Sequence, residues 1–223
     1  RRVLLVDMDP QANASSGVGV RDPEKTIYDV LIGELSARRA VTDTAFDGLK
    51  VLPASMELSG AAVELDASTE NLRLLTKALI GVRPNFDFIV VDAPPSLGAL
   101  TLNALVAADH LVIPLQTEYY ALEGIAGMME TVERLRGSLN QTLSILGILL
   151  TMSDNRTRLS QEVEENVRKH FGDLVFTSVI PRNVRLAEAP SYGQPIYAYA
   201  PSSSGAVAYR GLAEEVIRRA SEA

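Results

Sequence analysis

Two apolar runs in this chain end in aspartates. Residues 88–91 lead into Asp92, and residues 3–6 lead into Asp7 and Asp9. Because open parallel sheets bind ligands at the carboxyl ends of their strands, these acids fall where a ligand crevice forms. Mg²⁺ is held in proteins by one or two carboxylates together with waters and phosphate oxygens. We therefore predict that Asp92 is linked to Mg²⁺ through water; the alternative is a capping aspartate in a proline turn.

Asp7 and Asp9 stand two residues apart. On an extended chain such residues point to opposite sides, so only one of them can face a given ligand. Asp9 would be suited to orienting an attacking water near a γ-phosphate, as sites of phosphoryl transfer require. The alternative role for Asp9 is that of a cap or turn residue beside Pro10.

The loop that normally holds the phosphates of such a site is absent from the sequence. It is a Gly-rich segment that ends in Gly-Lys-Ser or Gly-Lys-Thr. The four lysines, none of which stands in that context, are Lys25, Lys50, Lys77 and Lys169. The turn at 17–19 does not replace the loop, because Val20 and Arg21 follow it. The sequence thus contains half of a nucleotide site.

Composition predicts one α/β domain over residues 1–223, which are 47% hydrophobic and have no run long enough to span a bilayer. With no cysteine, disulfides, thiolate zinc sites and iron–sulfur clusters are excluded, and the cytoplasm is the expected compartment. The net charge of −7 argues against broad nucleic-acid binding. Residues 1–150 hold 12 basic and 19 acidic side chains, whereas residues 151–223 hold 9 of each. A basic patch, if present, is therefore expected in residues 151–223 and would be local. His110 and His170 are expected to be structural.

Apolar runs alternate with segments of helical period, which predicts a doubly wound, mostly parallel sheet with helices on both faces. The predicted strands are 3–7, 49–53, 87–92, 110–115, 143–151 and 174–180. The predicted helices lie near 26–34, 57–66, 69–81, 99–108, 121–137, 156–171 and 205–220. Such a sheet would normally begin with an earlier strand–loop–helix unit of roughly 30 residues, so we expect an N-terminal truncation.

Four motifs carry a resemblance to a known family. They are residues 3–14 (Val-Leu-Leu-Val-Asp-Met-Asp-Pro-Gln-Ala-Asn-Ala), 86–96 (Phe-Asp-Phe-Ile-Val-Val-Asp-Ala-Pro-Pro-Ser), 116–124 (Gln-Thr-Glu-Tyr-Tyr-Ala-Leu-Glu-Gly) and 179–191 (Val-Ile-Pro-Arg-Asn-Val-Arg-Leu-Ala-Glu-Ala-Pro-Ser). Together, and in this order, they resemble the ParA/Soj chromosome-partitioning ATPases over essentially the whole chain. The resemblance implies a P-loop ATPase with a deviant Walker motif. It also implies a homodimer formed around ATP, non-specific DNA binding, association with the nucleoid, and a ParB/Spo0J-type activator.

The resemblance also implies roles for five residues of the nucleotide site. Asp9 matches the water-activating acid of switch I, and Asp92 matches the Walker B acid. The stretch that lies against the adenine in this family is matched by Pro181, Arg182 and Asn183.

Two arginines match residues implicated in DNA binding in similar proteins. They are Arg156 and Arg185, both in the charge-balanced last third of the chain. A phosphate contact needs only a reachable cation. The alternative is that both arginines are solvated or paired with neighbours such as Asp154 and Glu188.

The chain departs from the family pattern in one large respect. The signature loop Lys-Gly-Gly-Val-Gly-Lys-Thr-Thr is absent from these 223 residues. Because such a loop supplies most of the electrostatic stabilisation in phosphoryl transfer, we expect ATP and Mg²⁺ to be cofactors of the intact protein, with neither bound by this chain.

Four other classes of protein share some of these features. A ParA-like interaction module that works without nucleotide is the main alternative, and DNA binding without nucleotide would favour it. A MinD-like membrane cycler needs a basic amphipathic tail, whereas residues 213–223 are acidic and rich in alanine. The absence of cysteine excludes an iron-protein-type reductase. A receiver domain is about half this length and needs a lysine after a later strand.

Overall fold

The computed structural model describes residues 1–65, 68–118 and 121–222. The contacts within the chain divide it into two compact units. Unit 1 contains Arg1–Ala108 and Pro190–Pro195, and unit 2 contains Asp109–Ala189 and Ile196–Ala223. Each unit combines a sheet with parallel strands and several helices, so each is of the predicted α/β class.

The strands of unit 1 are β1 (Val3–Asp7), β2 (Thr42–Asp43), β3 (Leu49–Leu52) and β4 (Phe88–Asp92). They form a sheet in the order β2-β3-β1-β4, in which β1 is parallel to both neighbours and β2 is antiparallel to β3. The short strand β2 was not predicted. Leu4 and Val6 of β1 are fully buried, whereas Val90 of β4 is 51% exposed. Strand β4 therefore forms one edge of this sheet, although its sequence is apolar.

The helices of unit 1 are α1 (Asn13–Gly17), α2 (Ile27–Leu31), α3 (Ala37–Ala40), α4 (Leu58–Glu64), α5 (Leu74–Leu79) and α6 (Ala99–Ala107). The helix predicted at 57–66 is α4, and residue 66 lies outside the described residues. The helix predicted at 69–81 is divided into a 3₁₀ turn, Asn71–Arg73, and α5. Asn103 of α6 explains the division, since its amide group donates to the carbonyl of Asn71 and accepts from the N–H of Leu75. These bonds satisfy backbone groups where the helix is interrupted.

The elements of unit 2 are β5 (His110–Gln116), α7 (Ala121–Arg136), β6 (Ser144–Thr151), α8 (Arg158–Phe171), α9 (Val184–Glu188), α10 (Ile196–Tyr199) and α11 (Ser204–Glu222). Strands β5 and β6 are parallel. Helix α8 begins after an N-cap, Thr157, whose side chain accepts from the N–H of Ser160, and Gly172 ends it as predicted. The short helices α9 and α10 were not predicted.

The strand predicted at 174–180 does not form. Within this segment Val175 forms one isolated parallel bridge, with Ile148, and the N–H groups of Phe176 and Ile180 donate to the carbonyls of Ile148 and Leu150. A second isolated bridge follows just beyond the segment, between Pro181 and Ser153. The cause lies in α11, where Glu215 accepts hydrogen bonds from the N–H groups of Thr177 and Ser178. These two amides therefore bond to the Glu215 side chain and not to the backbone of β6.

Each unit has its own hydrophobic core. In unit 1, residues of β1 and β3 pack with α2, α4 and α5 around Leu4, Met8 and Leu52. In unit 2, one cluster lies around Ile125 and Ile148, while Phe176 anchors a second cluster against α11. In the described ranges, no helix is both long and apolar enough to cross a membrane.

Candidate functional site

Asp7 anchors the turn that follows β1. It is fully buried, and its carboxylate accepts three hydrogen bonds: from the N–H of Asp9 at 3.1 Å, and from the N–H and hydroxyl of Ser15 at 2.8 and 2.7 Å. The Ser15 hydroxyl in turn accepts from the N–H of Ala54 at 3.1 Å. Asp7 is therefore the structural member of the aspartate pair.

Asp9 lies on the turn itself and is half-buried. One carboxylate oxygen accepts from the N–H of Gln11 at 2.9 Å, and the Asp9 carbonyl accepts from the N–H of Ala12 at 2.9 Å. Ala12 adopts a left-handed backbone conformation with φ of 52°, which closes the turn before α1. Asp9 therefore has the turn role that was the alternative to a catalytic one. Its second carboxylate oxygen accepts no hydrogen bond from the described residues.

Asp92 ends β4 and is the register partner of Asp7 on β1. Its carbonyl accepts from the N–H of Met8 at 2.8 Å, which joins the two strand ends. Burial, followed by the negative charges of Asp7 and Asp9, raises the pKa of Asp92 to about 6. The strand ends therefore concentrate negative charge, as predicted.

These residues fit a magnesium ion that is held mainly by waters and phosphate. The described residues contain no group of three or more His, Cys, Asp or Glu side chains that could hold a metal by themselves. One or two carboxylates are nevertheless the usual protein contribution to a nucleotide-bound Mg²⁺. The charged form of Asp92 is disfavoured by burial and then by two neighbouring carboxylates, and a cation beside it would relieve the repulsion.

The Gly17–Gly19 turn has a packing role in unit 1. Gly19 and Gly193 both have positive φ, and a Cβ on Gly193 would lie 3.0 Å from the Cα of Gly19. Close by, the guanidinium of Arg21 donates to the carbonyl of Ser191 at 2.9 Å. The glycines therefore allow two backbone segments to approach each other, which explains them without any phosphate.

The residues predicted to lie against the adenine belong to unit 2. The N–H of Arg182 donates to the carbonyl of Ser153 at 2.9 Å, so the segment from Pro181 runs beside the loop after β6. Asn183 is the N-cap of α9: its side-chain oxygen Oδ1 accepts from the N–H of Arg185 at 2.8 Å, and its side-chain amide nitrogen donates to the Ser204 hydroxyl at 2.7 Å. The Asn183 side chain is thus engaged in holding the local backbone.

A cleft of about 760 Å³ lies in unit 2 at the carboxyl ends of β5 and β6. It is lined by Leu115, Gln116, Thr117, Glu118, Gly124, Met152, Asp154, Thr157, Leu159, Ser160 and Arg182. Of the residues predicted to contact adenine, Arg182 lines this cleft. Its guanidinium lies 4.0 Å from the carboxylate of Glu118. Sequence reasoning missed this cleft, although the Thr157 cap of α8 is a local signal for one part of its wall.

Both predicted DNA-binding arginines are exposed, and each is paired with an acid. The guanidinium of Arg156 forms two hydrogen bonds to Asp154, at 2.8 and 2.7 Å, and holds the pKa of Asp154 at about 2. Arg185 donates to Glu188 at 2.8 Å, which lowers the pKa of Glu188. Both arginines therefore form the ion pairs with neighbouring acids that were the alternative to DNA binding.

The predicted site residues divide between the two units. Asp9 and Asp92 belong to unit 1, and the segment 181–183, Arg156 and Arg185 belong to unit 2. In unit 1 the two aspartates lie at or just after the ends of neighbouring strands. In unit 2 the segment 181–183 runs beside the loop that carries Arg156, and Arg185 lies on α9.

Comparison with known proteins connects this geometry to a family. A family model described as an AAA domain matches residues 1–145. The chromosome-partitioning ATPase Soj of Thermus thermophilus is 52% identical over 223 residues, which cover 100% of this chain and 86% of that protein. The chain belongs to the ParA/Soj family. The resemblance found in four sequence motifs is thereby confirmed. The relatives of this family also support a ParA-type function in chromosome partitioning.

Solved structures confirm the fold of this ParA/Soj chain. Cobyrinic acid a,c-diamide synthase from Mycobacterium smegmatis, with bound ADP and magnesium, matches with a TM-score of 0.82 and 33% identity, over 98% of this chain and 82% of that one. The cell division ATPase MinD of Pyrococcus furiosus matches with a TM-score of 0.81 and 29% identity, over 98% and 86% of the two chains. The fold is therefore the mostly parallel α/β fold of P-loop ATPases of the ParA/MinD type.

Proposed function

We propose that this ParA/Soj chain belongs to an ATPase cycle in which Asp92 and Asp9 do the chemical work. The observation that supports this most is the convergence of Asp7, Asp9 and Asp92 at the carboxyl end of two parallel strands. The carboxylate of Asp7 already accepts three hydrogen bonds that stabilise the turn. Asp9 and Asp92 are therefore the acids assigned to a ligand.

Each of these aspartates has a distinct task in the proposal. Asp92 would hold a Mg²⁺ ion through its waters, and that ion would supply neutralisation of the charge that develops on the phosphates. Asp9 accepts a hydrogen bond from the attacking water through the oxygen that the turn leaves unused. Asp7 keeps Asp9 in place, because its carboxylate accepts from the Asp9 N–H.

The nucleotide base and DNA are assigned to unit 2. We assign Pro181, Arg182 and Asn183 to the adenine, and Arg156 and Arg185 to DNA phosphates. The loop after β6 and the segment from Pro181 run side by side, which supports a common surface. The proposal includes an ATP-dependent homodimer on the nucleoid, non-specific DNA as the bound polymer, and a ParB/Spo0J-type activator.

Equilibrium binding of a fluorescent ATP analogue with Mg²⁺ tests the nucleotide site. This chain should bind weakly, because its sequence contains no Gly-Lys-Thr loop. A version extended upstream by a strand–loop–helix unit that contains Lys-Gly-Gly-Val-Gly-Lys-Thr-Thr should bind tightly. In that version, Asp9→Ala should abolish hydrolysis and retain binding, which would trap the ATP-bound dimer on DNA. Normal turnover by the Asp9 variant would contradict its role.

A ParA-like interaction module that works without nucleotide is the second candidate. The discriminating measurement is DNA binding, with and without ATP, by the version extended through the Gly-Lys-Thr loop. Equal binding in the two conditions supports the module, and binding that requires ATP supports the ATPase cycle.

A further inference from the structure

The acids beside the two arginines are fixed by contacts of their own. Asp154 accepts from the backbone N–H of Arg156 at 3.1 Å, in addition to the two guanidinium bonds. Its own N–H donates to the Ser160 hydroxyl at 3.1 Å, and its side chain is 20% exposed while that of Arg156 is 86% exposed. The carboxylate is therefore part of the loop, and the arginine reaches back to it from solvent.

Glu188 is held in a comparable way. The oxygen that accepts from Arg185 at 2.8 Å also accepts from the Tyr199 hydroxyl at 3.0 Å. Because Tyr199 belongs to a different helix, α10, Glu188 keeps a partner when Arg185 turns away. Both arginines thus face an acid that stays in place whatever the arginine binds.

A carboxylate in this position opposes phosphate binding in two ways. Asp154 occupies two donors of the guanidinium edge that a phosphate would use for paired hydrogen bonds, and Glu188 occupies one donor of Arg185. The charge of each acid also cancels that of its arginine over the distances at which DNA attracts cations, since the Debye length is about 8–10 Å at physiological salt. Exposed ion pairs contribute little free energy, so a phosphate can displace the acid at a moderate cost in affinity.

We propose that Asp154 and Glu188 are built-in counterions that weaken non-specific DNA binding through Arg156 and Arg185. This inference rests on the proposed DNA site and adds its regulation. Phosphate and carboxylate compete for the same guanidinium groups, so the acids keep the chain releasable from DNA. Anything that draws either acid away from its arginine would tighten DNA binding.

Conservative amide variants isolate the charge of each acid. Asp154→Asn retains the side-chain oxygen that accepts from the Arg156 N–H, so the turn is preserved while the charge is removed. In Glu188→Gln, the amide oxygen can still accept from the Tyr199 hydroxyl. The matched control is Glu130→Gln on α7, which breaks an exposed pair with Arg134 and changes the net charge equally.

The readout is fluorescence anisotropy with a random-sequence DNA duplex at several salt concentrations, measured with ATP and Mg²⁺ on the version extended through the Gly-Lys-Thr loop. Each amide variant should bind about two- to fivefold more tightly than the wild type, the range that an exposed ion pair supports. The slope of log K against log salt should steepen by up to about 0.9 for each arginine released. Glu130→Gln should change the affinity less than twofold.

Each alternative outcome overturns a different statement. If Asp154→Asn and Glu188→Gln bind no more tightly than Glu130→Gln, while Arg156→Glu and Arg185→Glu weaken binding, the DNA site stands and the counterion role is wrong. If the arginine variants bind as the wild type does, the DNA site itself is wrong and the counterion role falls with it. Absence of binding by the wild type and by both amide variants would also overturn the counterion role.

Discussion

Asp7 and Asp92 are the last register partners of the β1–β4 ladder, so two carboxylates end neighbouring parallel strands at the same level. Hydrogen bonds to three donors stabilise the charge of Asp7. Asp92 accepts no side-chain hydrogen bond from the described part of the chain, and its pKa is raised to about 6. The two acids are therefore adjacent but differ in how their charge is compensated.

The raised pKa makes the stability of the fold depend on pH. The pKa of Asp92 is higher in the folded chain than its usual 3.8, so the folded state holds the proton more tightly than the unfolded state. The free energy of unfolding should therefore fall as the pH rises through this interval, and the penalty is complete above about pH 6. With EDTA present, Asp92→Asn should have a higher Tm than the wild type at pH 7.5 and the same Tm near pH 4. A Tm difference that does not change with pH would contradict this.

Ser15 and Ser16 are adjacent but should differ in their effect on stability. The Ser15 hydroxyl is buried, donates to Asp7 and accepts from Ala54, whereas the Ser16 hydroxyl donates to the carbonyl of Asn13 at a more exposed position. Ser15→Ala leaves a buried N–H without its acceptor and should cost about 1–3 kcal/mol of the free energy of unfolding. Ser16→Ala should cost less than about 0.5 kcal/mol. Urea denaturation measures both, and equal costs would refute the role of Ser15.

Glu215 should be essential to the folding of unit 2. It is 5% exposed, accepts from two backbone amides of the segment 174–180, and pairs with Arg219 at 2.9 Å. Glu215→Ala leaves the two amides without their acceptor and the largely buried Arg219 without its charged partner, and should destabilise the fold by about 3–5 kcal/mol. The neighbouring Glu214 is exposed, so Glu214→Ala is the matched control, with an expected change under about 0.5 kcal/mol. Thermal or urea unfolding with similar results for the two variants would disprove the assignment.

Two glycine substitutions should change stability in opposite directions. A Cβ on Gly147 would lie 2.5 Å from the Phe176 ring and 3.0 Å from the Arg219 guanidinium, so Gly147→Ala should destabilise by about 1–3 kcal/mol. A Cβ on Gly127, inside α7, meets nothing within 4 Å. Gly127→Ala should therefore stabilise by about 0.5–1 kcal/mol through helix propensity. The comparison requires only the unfolding curves of the two variants, and a shift of both in the same direction would be inconsistent with this packing.

Local sequence patterns were sufficient to predict most of the strands. The runs that became β1, β3, β4, β5 and β6 are apolar, and their aspartates could be placed at strand ends from the sequence alone. The alternation rule also predicted that only one of Asp7 and Asp9 would face a ligand. It could not say which, because the burial of Asp7 depends on Ser15 and, through it, on Ala54, 39 residues further along the chain.

Features that depend on distant side chains were not predictable. The segment 174–180 has a strand-like sequence, but its amides bond to Glu215, which lies on a helix 37 residues after Ser178. The break before α5 depends on Asn103 in the same way. The cleft in unit 2 is formed by residues from three separate parts of the sequence, so no single motif indicates it.

The return of residues 190–195 to unit 1 limits how this chain can be divided. Gly193 packs against Gly19, and Ser191 accepts from Arg21, so unit 1 draws part of its packing from a segment that is far away in sequence. A cut after Ala108 would deprive the first fragment of these contacts. The two units are consequently not exchangeable modules: a chimera that replaces the second half of this ParA/Soj chain must also supply a segment that matches the Gly17–Gly19 turn.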